Sequence, residues 1–222
     1  ILNSRQKIPF RVSSEARRTY DEIVIPFWRG RSMRDLIFSE MTPEWIAAYE
    51  AGVFTEFMEQ RAPGHTVLDD KIYRRGFLDF RVQIEHALAR IDPLSDPEAY
   101  ARQNELRAML ICIDALLRMA QRYAERAREL AVLEMDPTRR SELLRIASVC
   151  MHVPAHAPRD FWEALQSYWF VHLGVTTELN TWDSFSPGRL DQHLLPFYQQ
   201  GLADGTLTRN AAEELLQCLW IK

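Results

Sequence analysis

At 222 residues the chain is long enough for one large domain or for part of a larger one. Hydrophobic residues make up 47% and charged residues 26%, the balance of an ordinary globular protein. Net charge is −4 with acids and bases interspersed, which removes the electrostatic case for nucleic acid or a membrane surface, and no apolar run approaches the ~18 residues of a membrane span.

In chain order, Ile1 to Lys7 lacks the pattern of a secretion signal. Ser14 predicts the cap of a helix beginning at Glu15. Thr42-Pro43-Glu44 is a strong start signal, a cap residue followed by Pro and an acid in the first turn, and it opens Trp45-Ile46-Ala47-Ala48-Tyr49-Glu50. A short strand is expected over 64–68. Phe77, Phe80, Ile84, Leu88 and Ile91 recur at three- and four-residue spacing and predict an amphipathic helix over 76–91. Asp96-Pro97-Glu98 opens the longest helix, to about Met135, with Leu106, Leu110, Ile113, Leu117 and Met119 as its apolar face. Pro137 breaks it, and Asp136 or Thr138 caps the next helix, to about Val149.

Pro158-Arg159-Asp160 starts a further helix through Leu173, whose Phe161, Trp162, Tyr168, Trp169 and Phe170 read as core. A second short strand is expected over 174–177. Thr208 caps a last helix from Arg209. The closing run Leu216-Gln217-Cys218-Leu219-Trp220-Ile221-Lys222 carries no stop signal, so a longer protein is expected. Cys112, Cys150 and Cys218 lie far apart inside apolar patterns and read as buried reduced thiols, which implies a cytosolic protein. The patterns give a mainly helical piece, and composition and periodicity do not name its function. A helical interaction protein is the non-enzyme alternative.

Three stretches hold residues that could carry chemistry. In Arg61-Ala62-Pro63-Gly64-His65 a tight turn is flanked by a guanidinium suited to a carboxylate, phosphate or sulfonate and an imidazole suited to a hydroxyl. The plainer alternative is a helix C-cap and a surface turn residue. The densely polar run Glu178 to His193 lies between two apolar segments, so its groups must pair or bind a ligand. Asp183, Ser184 or Ser186 could contact a substrate there, with Glu178, Asn180, Arg189 and Asp191 as mutual structural partners; a wholly structural network is the alternative. Tyr73-Arg74-Arg75 with Arg81 is either an anion-facing patch or, as expected, a solvated helix face. His152 and His156 are four apart, but Pro154 intervenes and no further ligand completes a set, so no metal site is expected.

Several segments together resemble glycyl radical enzymes, the pyruvate formate-lyase-like group. Phe27-Trp28-Arg29-Gly30-Arg31-Ser32 is similar to the family's W-K/R-G-K/R-S/T. Gly64-His65-Thr66 through Gly76-Phe77 is similar to a G-H stretch ending in G-F/L, and Phe161-Trp162-Glu163-Ala164-Leu165-Gln166 through His172-Leu173 to F-x-E-A-L/I-Q ending in H-I/L. The run from Glu178 through Pro187-Gly188-Arg189-Leu190-Asp191-Gln192 to Phe197 matches best, and Glu213 to Lys222 resembles E-L-L-x-C-L/F-W-I-K.

The resemblance implies a mainly α piece: the N-terminal helical portion and first strand or strands of a ten-stranded α/β barrel. Residues 1–222 would be a partial domain, truncated at both ends and without the glycyl radical domain. The family stores a radical on a C-terminal glycine, installed by a radical S-adenosylmethionine activase, and passes it to a cysteine thiyl. Neither the R-V-S/A-G-Y/F glycine motif nor a cysteine in C-x-E-P occurs in this sequence, so it supplies no catalytic residue and binds no cofactor itself.

Arg61, His65, Asp183 and Ser184 are its expected substrate contacts. Arg61 with His65 favours a small hydroxylated anion, with a carbon–sulfur lyase releasing sulfite from dihydroxypropanesulfonate or isethionate first. The alternatives are glycerol or propanediol dehydratase, choline lyase, hydroxyproline dehydratase and arylacetate decarboxylase. The resemblance further implies an anaerobic homodimer in the cytoplasm or in a bacterial microcompartment.

Overall fold

A computed structural model of the chain describes residues 12–54, 69–178 and 187–221. All regular structure among these residues is helical. Two compact units divide the chain, residues 1–60 and 61–222.

In the first unit, α1 (Ser14–Thr19) runs through a π-helical turn at Tyr20–Val24 into α2 (Ile25–Trp28). The cap is Ser13, whose side chain accepts from the Ala16 N–H, one residue before the expected Ser14. α3 (Met33–Glu40) opens on a capping box: Ser32 Oγ accepts from the Asp35 N–H while the Asp35 carboxylate takes the Ser32 N–H. α4 (Pro43–Glu50) starts as its sequence signal requires, with Thr42 Oγ1 accepting from the Trp45 N–H. Phe38 meets Trp45 and Tyr49 edge-on at 5.3 and 5.0 Å, and the Arg34 guanidinium lies 4.2 Å from the Phe38 ring centre.

The second unit contains α5 (Lys71–Arg74), α6 (Phe77–Ala89), α7 (Ala99–Leu133), α8 (Pro137–His152), α9 (Phe161–Glu178), α10 (Leu190–Ala203) and α11 (Arg209–Ile221). α9 is the hub, touching α5, α7, α8, α10 and α11. Its Phe161, Ala164, Leu165, Tyr168, Phe170 and Val171 are buried in one cluster with Ile72, Leu116, Leu194 and Ala212 from four neighbours. α7 packs on α8 through small residues: Ile113 and Leu116 are followed by Ala120, Ala124, Ala127 and Ala131, all buried. That stripe is the fully buried part of the helix, because alanines let two helices approach closely, while the larger Leu106, Leu110, Leu117 and Met119 are half-buried and Met119 packs against the core cluster.

The first turn of α6 borrows its missing acceptors from the loop after α8. The Phe77 N–H donates to Pro154 O at 2.9 Å and the Leu78 N–H to Ala155 O at 3.1 Å. Asp136 caps α8 by accepting from the Thr138 N–H, and Thr208 caps α11 by accepting from the Ala211 N–H.

Two expectations are corrected. Residues 174–177 are not a strand; they complete α9, where Thr176 Oγ1 donates to His172 O at 2.8 Å and so keeps this stretch in the helix. Cys150 is buried, and burial pushes its thiol up to about 11, but Cys112 and Cys218 are exposed because they lie on the outward faces of α7 and α11. The other expected strand, over 64–68, lies outside the described residues.

Candidate functional site

Arg61 and His65, like Asp183 and Ser184, lie outside the described residues. What the structure shows is the frame from which their two segments leave: Asp69 and α5 after the first, the end of α9 before the second, and the start of α10 after it. These elements meet in one polar cluster.

Tyr73 on α5 is 6% exposed, and its ring stacks against the imidazole of His193 on α10, 5.3 Å between centres at 21°. The Tyr73 hydroxyl has no hydrogen-bond partner among the described residues, and burial, reinforced by nearby Tyr168, pushes its phenol above the ordinary range. His193 Nε2 lies 3.4 Å from Asp69 Oδ1 but is not aligned for a hydrogen bond. Asp69 has the left-handed φ of +50°, a conformation that Asp tolerates better than most side chains. One turn along α9, Tyr168 Oη and His172 Nδ1 are 3.4 Å apart, and desolvation lowers the His172 pKa below its usual value. The His172 ring also stacks on Trp169 at 5.4 Å.

At the other end of α9 a charged network fixes the helix. Asp160 Oδ1 accepts from the Glu163 N–H, and Glu163 in return takes the backbone N–H and the guanidinium of Arg159, with Arg159 NH2 2.5 Å from Glu163 Oε1. Glu163 is fully buried; burial alone would raise its pKa, but the bonds from Arg159 outweigh it and hold the carboxyl below the usual range. His152 Nε2 is 3.8 Å from this carboxylate and 2.9 Å from Ala157 O. This reciprocal cap went unread in the sequence, although an Asp three residues before a Glu at a helix start was its signal.

The remaining sequence candidates separate. Arg74 and Arg75 are solvated, as expected, with Arg74 paired to Asp70, while Tyr73 turns inward. Arg81 pairs with Asp114 across α6 and α7. A buried position for Arg189 and Asp191 is corrected: both are exposed at the start of α10, where Gly188 turns the chain with φ +66° and the Arg189 carbonyl accepts from the Gln192 and His193 N–H groups, while Asn180 and the Glu178 side chain, their expected partners, lie outside the described residues. The imidazoles of His152 and His156 stack on each other, and among the described residues no group of three His, Cys, Asp or Glu could hold a metal. No described helix is long and apolar enough to cross a membrane. An open groove of about 570 Å³ between α6 and α7, lined by Arg90, Asp92, Asp96 and Arg102, is occupied by turn chemistry: Asp92 and Asp96 accept from the N–H groups of Leu94 and Glu98.

The sequence matches the family model described as Pyruvate formate lyase-like over residues 1–222. The chain belongs to the pyruvate formate lyase-like family. Among relatives of this glycyl radical enzyme family, trans-4-hydroxy-L-proline dehydratase of Clostridioides difficile is 54% identical over 222 residues, covering 100% of this chain and 28% of the relative. Isethionate sulfite-lyase of Desulfovibrio desulfuricans is 34% identical over 229 aligned residues, covering 99% and 28%. The crystal structure of hydroxyproline dehydratase from Clostridioides difficile with trans-4-hydroxy-L-proline bound matches with a TM-score of 0.78 at 55% identity, over 99% of this chain and 28% of that one. The pyruvate formate lyase-like chain thus spans about 28% of the length of these relatives, and its described helices correspond to a helical portion of their fold.

Proposed function

We propose that this chain is the N-terminal helical part, a partial pyruvate formate lyase-like domain, of a dehydratase that removes water from a hydroxylated amino or imino acid of the trans-4-hydroxy-L-proline type. The 54% identity to a protein of that activity, maintained over the whole chain, carries the reading. It moves the first choice away from sulfite release, since isethionate sulfite-lyase shares 34%.

Side-chain chemistry supports the same direction. A hydroxylated imino acid presents a carboxylate, a cationic nitrogen and a hydroxyl. Arg61 suits the carboxylate, Asp183 the nitrogen, and His65 and Ser184 the hydroxyl. A hydroxyalkylsulfonate has no cation, so an acid beside it would repel rather than bind it. The family's glycyl radical, acting through a cysteine thiyl, supplies hydrogen-atom abstraction next to the hydroxyl; the residues for both lie outside this sequence. The contribution of this chain is to hold the substrate's charged ends and keep its hydroxyl oriented for loss as water. A radical S-adenosylmethionine activase as partner, a homodimeric assembly and a cytoplasmic or microcompartment setting belong to the same proposal.

The test uses the full-length protein, activated anaerobically by its activase and offered trans-4-hydroxy-L-proline, isethionate, dihydroxypropanesulfonate, glycerol and choline. Dehydration of hydroxyproline is expected, with kcat/KM falling by about 100-fold or more in Arg61→Ala and Asp183→Ala, as for loss of a charged bond to substrate. Sulfite release from a sulfonate without turnover of hydroxyproline would return the enzyme to the carbon–sulfur lyases.

A further inference from the structure

Loops normally run over a protein's surface, where water satisfies their backbone. Residues 153–160, between α8 and α9, are packed inside instead. Val153 and Pro154 are fully buried, Pro158 is buried, and Ala155, Ala157 and Asp160 are half-buried. Three helices take the polar groups of this loop. α6 takes the Pro154 and Ala155 carbonyls into its first turn. α8 takes Ala157 O, 2.9 Å from His152 Nε2, which carries the ring proton because a carbonyl can only accept. α9 takes the Arg159 N–H, which donates to Glu163 Oε2 at 2.8 Å. Asp160 completes the set: one carboxylate oxygen accepts from the Glu163 N–H, and the other pairs with Arg145 of α8.

The loop cannot give way on one side alone. Gly76 lies so close to Ala155 and His156 that an added Cβ would stand 2.1 Å from Ala155 O. No flexible side chain lies between the two backbones to absorb a shift, so a displacement of the loop displaces the start of α6. Gly76 also has no side chain with which to cap Phe77 or Leu78, whose N–H groups depend on the loop carbonyls. On its other side the loop is gripped by Glu163, which is 0% exposed and has no water to turn to. Loosening the carboxylate from Arg159 therefore loosens the segment that caps α6.

We infer that residues 153–160 are a latch that joins the starts of α6 and α9 into a single opening unit, with the Glu163 carboxylate as its catch. Either side can unfasten it. Loss of the Glu163 charge frees α6, and intrusion at Gly76 frees Arg159 and Glu163, because coupling between two sites is reciprocal. Nothing in the latch depends on which substrate the parent enzyme turns over.

Hydrogen–deuterium exchange on the full-length protein reads both helix starts, through peptides covering 76–80 and 159–164. Glu163→Gln is expected to speed exchange about fivefold in 76–80 as well as in 159–164. His152→Phe, which keeps a ring against His156 and removes the bond to Ala157 O, should do the same. In the reverse direction Gly76→Ala should speed 159–164 by about fivefold or more. Thr208→Ala removes the α11 cap at a similar cost; it should speed the start of α11 and leave both peptides within about twofold of the parent. Exchange at 76–80 within about twofold of the parent in Glu163→Gln or in His152→Phe would overturn the latch. So would faster exchange at 76–80 in Thr208→Ala, which would mark a general loss of stability instead of a joint opening. If Gly76→Ala does not fold, the two readings at 76–80 still decide.

Discussion

Arg159 and Glu163 are unequal partners. The carboxylate is fully buried, whereas the arginine side chain is 59% exposed. Removing the arginine strands a charge inside the protein; removing the charge from Glu163 leaves an arginine that water can solvate. Arg159→Ala is therefore expected to cost about 2–3 kcal/mol, below the ~3–5 of a fully sealed pair because the arginine is partly solvated, and Glu163→Gln about 1 kcal/mol. Chemical denaturation of the full-length protein ranks the two, and the reverse order would refute the asymmetry. The same carboxyl links stability to pH. Its folded pKa lies below its ordinary 4.5, so its contribution is complete above that value and is lost as pH falls through the folded one. The parent and Glu163→Gln should differ most near neutrality and converge in acid, as read from melting temperature against pH. None of this was legible from composition: Glu163 stands in an apolar helix and looks like an outlier until the Asp160 and Arg159 bonds account for it.

The joint between α6 and the loop following α8 depends on an absent side chain. A Cβ at Gly76 would come within 2.1 Å of Ala155 O and 2.3 Å of the His156 Cα, both backbone atoms with no room to yield. Gly76→Ala should separate α6 from the loop and break the Phe77 and Leu78 bonds to Pro154 and Ala155, costing at least the ~1–3 kcal/mol of an overpacked core. A melting temperature unchanged by that substitution would show that the joint can relax. Most elements were readable from caps and prolines: Thr42-Pro43-Glu44, Asp136-Pro137 and Thr208 mark their helix starts to the residue. The apolar face of α7 was read correctly at Ile113, which is buried, but without its alanine stripe, and the end of α9 was misread. In α7 the apolar leucines drew attention from the alanines, because hydrophobicity says what can be buried, while close helix contact selects what is small. At residues 174–177, Gly174 and two β-branched threonines suggested a strand, and the packing of α9 against its neighbours overrode that local preference.

At the scale of the whole chain, family membership was legible because the motifs span it from Trp28 to Lys222, while substrate choice was not. Arg61 beside His65 suits any small hydroxylated anion, and a sulfonate and a carboxylate look alike to a guanidinium. Asp183 is an expected substrate contact in either reading of the substrate, and a lone carboxylate in a dense polar run does not say whether it faces a cation or a hydroxyl. The Tyr73–His193 pair was missed for a related reason: its two residues are 120 positions apart, and only the folded chain brings them together. α9 gives the chain a further property. It packs against five other helices and is anchored at its start by a buried carboxylate, so a change within it is felt by each of those five. Among the described residues the buried cluster is drawn from α5, α7, α8, α9, α10 and α11, and the two segments proposed to meet substrate join that frame at Asp69, at the end of α9 and ahead of α10. Selection can therefore rewrite specificity in those segments while inheriting the frame intact, and a laboratory graft of one relative's pair of segments onto another's frame would follow the same division.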